Sequence, residues 1–136
     1  MSEWIWMNGN RVLLDTNAVI AFFDGVPAAE GAIWSFENRS VPVIVVGELR
    51  FGALRSHKVT ENLSKIDWFV SQCEVLTVQN QTAIEYARIR NDLMRKGRPI
   101  PENDIWIAAM AAEYESPLIT VDSHFAHVAG IEIIGI

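Results

Sequence analysis

Arg11-Val12-Leu13-Leu14-Asp15-Thr16-Asn17 is the stretch that decides the fold. Three apolar residues run without alternation into an acid and two small polar residues. A strand buried on both faces of a parallel sheet reads this way, because neither face meets water. The acid at its carboxyl end then stands where the chain leaves the sheet. Thr16 or Asn17 is placed to cap a helix over Ala18 to Phe23, which Asp24-Gly25 stops.

The same alternation of short apolar runs and longer amphipathic segments continues downstream. Ala28 to Asn38 reads as a helix, with Ile33 and Phe36 on one face. Val41 to Val46 is dominated by valine and reads as a strand. Gly47 breaks it, and Glu48 opens a helix to Arg55. Leu63, Ile66, Phe69, Val70 and Cys73 follow helical spacing within Glu61 to Cys73. Glu74 to Val78 is a third strand, and Gln81 to Lys96 a long helix ended by Gly97 and Pro99. Asn103 is a cap for Asp104 to Glu115, whose Ile105, Ala108, Ala109 and Ala112 form a core stripe. Pro117 starts a strand over Leu118 to Val121 that ends at Asp122, and Ile131 to Ile134 is a last short one. Strands separated by helices imply right-handed crossovers. The expected fold class is α/β, a central, mostly parallel sheet flanked by helices on both faces. The expected organisation is one domain over 1–136, with 1–10 as an irregular N-terminal extension carrying Trp4 and Trp6. Those two tryptophans are read as covering the fold's own surface or as a dimer or partner contact.

Composition agrees. Half of the 136 residues are hydrophobic and 21% are charged, which excludes a disordered or low-complexity chain. The longest apolar run, Ile105 to Ala112, is far short of the ~20 residues needed to cross a bilayer. Met1-Ser2-Glu3-Trp4 has an acid where a secretory signal carries positive charge. The single cysteine, Cys73, excludes an internal disulfide and a Cys-rich zinc site. A cytoplasmic protein without a membrane segment is expected. The net charge of −6 argues against a protein that coats nucleic acid electrostatically. It leaves room for an enzyme that meets nucleic acid through a cation held by its acids.

Four acids occupy related places. Asp15 and Asp122 each follow an apolar strand, Glu48 follows another, and Asp104 opens an alanine-rich helix. In a parallel sheet, ligands bind beyond the carboxyl ends of the strands. Asp15, Glu48 and Asp122 therefore fall toward one edge, joined by Asp104 if its helix starts there. Carboxylate oxygens are hard ligands suited to Mg²⁺ or Mn²⁺. Gathered without a cation they repel; a divalent ion removes the repulsion, acidifies a water and orients a phosphate. Each acid taken alone reads more readily as a cap or turn residue than as a ligand; the joint arrangement is what favours the metal reading.

Leu13-Leu14-Asp15-Thr16-Asn17, Val46-Gly47-Glu48-Leu49, Asn103-Asp104-Ile105-Trp106-Ile107-Ala108-Ala109 and Thr120-Val121-Asp122-Ser123-His124-Phe125 occur in that order. Together, with Gly97-Arg98-Pro99-Ile100-Pro101, they resemble the PIN-domain ribonucleases, specifically the VapC-type toxins of toxin–antitoxin pairs. The resemblance runs from about Arg11 to Ile131. It implies a Mg²⁺-dependent endoribonuclease (Mn²⁺ substituting) with Asp15, Glu48, Asp104 and Asp122 as metal-binding catalytic acids. Asp104 or Glu48 would take the proton of the attacking water, and the products would carry a 5′-phosphate and a 3′-hydroxyl. Thr16, Asn17 and Thr120 would support the acids by hydrogen bonding. The resemblance further implies an RNA substrate, a cognate antitoxin and a homodimer. Trp34 and Phe23 are expected at an apolar contact there. A PIN-type nuclease of RNA processing without a toxin role, and a non-catalytic PIN-like binding module, are the alternatives. A flavodoxin-like phosphate binder lacks its Gly-rich loop after the first strand.

Arg88, Arg95 and Arg98 belong to a run of cations suited to RNA phosphates. Glu85 with Arg88, and Asp92 with Arg95 or Lys96, are equally at helical pairing distance. His57, His124 and His127 show no tight ligand pattern and are assigned surface or core roles, with catalysis or RNA contact as the alternative. Cys73 closes an apolar stripe and reads as a core residue rather than a nucleophile.

Overall fold

A computed structural model describes residues 11–136, so the expectations for Trp4 and Trp6 lie outside the described residues. The sequence's leading strand, β1 (Arg11–Leu14), is the centre of the sheet. Val12, Leu13 and Leu14 are fully buried, as an unalternating apolar strand requires. After it come α1 (Thr16–Phe23), α2 (Pro27–Trp34), β2 (Asn38–Pro42), α3 (Val43–Leu54) and α4 (Val59–Ser71). The second half holds β3 (Glu74–Leu76), α5 (Asn80–Lys96), α6 (Glu102–Glu113), β4 (Leu118–Thr120), a 3-10 turn (Ser123–His127) and β5 (Ile133–Gly135).

All four strand pairings are parallel, in the order β3-β2-β1-β4-β5. The chain builds outward from β1 through β2 to β3, then crosses back to add β4 and β5 on the other side. Right-handed crossovers put α5 and α6 on the face opposite α1–α4 when the direction reverses. The reversal makes the gap between β1 and β4 the switch point, where a doubly wound sheet opens a crevice at its carboxyl edge. Asp15 and Asp122 are the residues that follow those two strands. Phe69 of α4 and Phe125 of the 3-10 turn are the largest fully buried side chains. No described helix is long and apolar enough to cross a membrane.

Four local expectations are corrected. Val41 to Val46 is not a strand: β2 ends at Pro42, paired with Leu76, and α3 begins at Val43. Pro42 lacks the N–H to extend the ladder and suits the start of a helix. Val45, Leu49 and Ala53, four apart, are buried along one stripe of α3. That burial outweighs valine's strand preference, and Glu48 consequently lies in the second turn of the helix, not at its start. The helix after β1 is capped by Asp15 itself, whose carboxylate accepts the Ala18 N–H at 2.7 Å, rather than by Thr16 or Asn17. Asn103 caps nothing: Pro101 holds the N-cap position of α6, and Asn103 is inside the first turn. The helix expected over Ala28 to Asn38 stops at Trp34, because Asn38 and Arg39 pair in register with Arg11 and Val12.

Candidate active site

Asp15 is the buried anchor of the site, with 2% of its surface exposed. Two constraints fix its carboxylate: Oδ1 accepts from Ala18 and Oδ2 accepts from the Thr120 hydroxyl. Thr120 Oγ1 in turn accepts the Asp122 N–H at 2.9 Å, so the carboxyl ends of β1 and β4 are laced together through one hydroxyl. Glu48 reaches in from α3, and its Oε1 accepts from the Thr16 hydroxyl at 2.9 Å. Asp122 Oδ2 accepts from the Asn17 amide at 3.0 Å. Asp104, in the first turn of α6, has its Oδ2 2.7 Å from His124 Nε2.

These four acids line one cavity of about 450 Å³, whose wall also includes Thr16, Asn17, Glu102 and His124. The sheet topology, the bend at Pro42 and the Pro101 start of α6 together bring four acids, distant in sequence, to one opening. Their electrostatics confirm the proximity. Burial pushes the Asp15 carboxyl up to about 6, helped by the charges of Asp122 and Asp104 and opposed by its Thr120 and Ala18 hydrogen bonds. Burial also raises Asp104; His124 opposes this, while Asp122 and Glu48 add to it. Each acid thus feels at least one other.

That donor set fits a divalent cation. The donors are hard carboxylate oxygens, three of the acids are partnered by neutral hydroxyls and amides and Asp104 by the His124 imidazole, and positive charge would relieve the mutual repulsion. Among the described residues no three His, Cys, Asp or Glu side chains are already gathered closely enough to hold a metal ion. The acids share a cavity without forming a closed cage, so ligation requires a small inward movement of side chains.

All seven expected site residues, the four acids with Thr16, Asn17 and Thr120, are brought together here. Thr120 lies just below the cavity and acts through Asp15. His124 was given a surface or core role by sequence reasoning and stands instead on the cavity wall. A readable signal was Phe125: a fully buried neighbour pins the short turn and aims His124 outward from it. Glu102 was also missed. Its Oε1 accepts from the Tyr86 hydroxyl at 2.8 Å and lies 3.7 Å from the Arg90 guanidinium. Arg90 thus stands behind Glu102, and neither it nor Arg88, Arg95 or Arg98 lines the cavity. Arg88 is engaged with Glu85 at 3.0 Å, as the helical spacing foretold. Asp92 pairs with Lys96 at 2.8 Å, resolving the Arg95-or-Lys96 choice in favour of lysine. Cys73 packs against the core, and burial pushes its thiol up to about 11, the opposite of an activated nucleophile.

Comparison with known proteins agrees with the geometry. The family described as "PIN domain" matches residues 12–131. Ribonuclease VapC5 of Mycobacterium tuberculosis is 34% identical over 127 residues, which is 90% of this chain and 93% of that protein. The tRNA(fMet)-specific endonuclease VapC of Salmonella typhimurium is 31% identical over 126 residues, 90% of this chain and 96% of that one. Among solved structures, DNA-bound VapBC from Salmonella typhimurium superposes with a TM-score of 0.84 at 28% identity, covering 92% of this chain and 97% of that chain. With the four ordered motifs on one cavity, this chain belongs to the PIN-domain family and, within it, to the VapC ribonucleases.

Proposed function

We propose that the protein is a metal-dependent endoribonuclease toxin whose reaction centre is the Asp15–Glu48–Asp104–Asp122 cavity. The single observation that carries this reading is the convergence of four mutually repelling carboxylates at the switch point of the sheet. VapC nucleases are metal-dependent in general, and Mg²⁺ is the ion expected here, with Mn²⁺ substituting. When bound, the cation supplies neutralisation of the scissile phosphate and a more acidic water. Asp15, fixed at both oxygens by Ala18 and Thr120, would be the acid that holds a cation at the carboxyl edge of the sheet. Asp122 and Glu48, each tethered through one oxygen, contribute the remaining negative charge. Asp104 or Glu48 accepts the proton as the water oxygen attacks phosphorus. The bond from phosphorus to the 3′-oxygen breaks and that oxygen takes a proton from solvent water, leaving a 5′-phosphate on one fragment and a 3′-hydroxyl on the other. Exposed single-stranded RNA is the accessible substrate for so open a cavity. A cognate antitoxin, a homodimer and action in the cytoplasm complete the proposal, by similarity to the VapBC assembly.

Purified protein incubated with total cellular RNA is expected to cut it with Mg²⁺ or Mn²⁺ and to stop cutting in EDTA. Absence of both cutting and Mn²⁺ binding would sink the enzymatic reading and favour a binding module. A second expected result concerns RNA grip. Arg90→Ala is expected to weaken RNA binding and lower the salt slope by about one, because Arg90 is the cation next to Glu102 of the cavity wall. Arg88, Arg95 and Arg98 are proposed for phosphates farther along the strand. An unchanged slope in Arg90→Ala would remove it from the RNA path.

A further inference from the structure

Each acid of the cavity has one dedicated hydrogen-bond partner from another part of the chain. Thr120 serves Asp15, Thr16 serves Glu48 and Asn17 serves Asp122. The fourth acid, Asp104, has His124 at 2.7 Å. From this we infer that His124 is a positioning residue for the metal site, holding Asp104 Oδ2 so that the carboxylate keeps one orientation toward the cavity. The inference rests on the metal-dependent reading above.

The local structure is built for such a role. Asp104 is in the first turn of α6 and His124 is on the 3-10 turn after β4, so the contact ties together two segments that no backbone hydrogen bond joins directly. His124 is itself held. Phe125 beside it is fully buried, and the two rings sit 5.0 Å apart. On the other side, Lys96 of α5 donates to the His127 carbonyl at 3.2 Å and pins the end of the turn. The imidazole is thus presented on a fixed frame, about two-thirds buried, next to a carboxylate with less than a fifth of its side chain exposed. Asp104 has fewer restraints than Asp15, which has two donors. Among the described residues, the His124 contact is the side-chain hydrogen bond that holds the Asp104 carboxylate. Groups that orient ligating carboxylates characteristically govern affinity for the ion as much as the ligands do. The other acids lining the cavity with His124 and Asp104 are Asp15, Glu48, Glu102 and Asp122, none of which can replace the donor.

The test is Mn²⁺ affinity of the purified protein at pH 8, by calorimetry, for wild type, His124→Gln and His124→Leu. The glutamine amide places an N–H near the position of Nε2; leucine keeps apolar bulk against Phe125 and donates nothing. The expected result is a loss of about tenfold or more in His124→Leu and restoration to near wild-type affinity in His124→Gln. A thermal melt of each variant in EDTA controls for folding. Wild-type affinity in His124→Leu overturns the inference, as does equal weakening in leucine and glutamine variants that melt like wild type. If wild type itself binds no Mn²⁺ while folded, the metal-dependent reading fails, and the positioning role with it.

Discussion

Asp104→Asn is expected to lower RNA cleavage by about a thousandfold or more while leaving the fold intact. The exchange removes the charge at nearly constant shape, so the half-buried site in α6 keeps its packing. Loss of a charged group that acts on the reacting phosphate or its water has effects of this size, roughly 4 kcal/mol of transition-state stabilisation. Stability should not fall: burial and the charges of Asp122 and Glu48 all disfavour the ionised Asp104 in the metal-free protein. A rate assay on total RNA with Mn²⁺, run beside urea unfolding, checks both halves. Retained cleavage in a folded Asp104→Asn would reduce the acid to a residue that merely suits the start of a helix.

The second large effect is on stability and has an unusual sign. Burial pushes the Asp15 carboxyl up to about 6, from an ordinary 3.8. A carboxyl raised in this way favours the folded state when protonated. Its contribution is complete below about pH 4, declines as pH rises through 6, and leaves a buried charge above that. The penalty at pH 8 is about 3 kcal/mol for this group alone. In EDTA, Asp15→Asn is therefore expected to be more stable than wild type at pH 8, by about 2 kcal/mol once the loss of the Thr120 bond is allowed for. Below about pH 4 the burial advantage should be gone and the order reversed, wild type being more stable by the Thr120 bond, about 1 kcal/mol. Saturating Mn²⁺ should reverse the order, because only wild type gains binding free energy, about 2.7 kcal/mol at a hundred times Kd. Urea unfolding at both pH values, with and without the ion, measures this. Parallel stability profiles for the two proteins would show that Asp15 carries no burial penalty and would weaken the case for a site built around a cation.

This trade of stability for charge explains why the site was partly legible beforehand. Asp15 and Asp122 could be read directly, since an acid ending a buried apolar strand has few other reasons to be there. Gly97 was legible as a helix stop and adopts the left-handed conformation at φ 67°. Glu48 was found for its motif but assigned the wrong local structure, because a run of valines carries no mark of the burial that turns it helical. His124 was missed because its partner lies twenty residues away, and no periodicity connects a 3-10 turn to the first turn of another helix.

The sequence by itself determined the order of strands and helices, the parallel α/β class and the four acids, because periodicity and strand-end composition are local properties of the chain. Only the tertiary structure decided which side chains hold those acids. Thr120 beneath Asp15, Thr16 against Glu48 and His124 on Asp104 are contacts between distant segments. Their geometry is set by sheet register and crossover, and a hydrogen bond of under three ångströms depends on both to within a fraction of a residue's length.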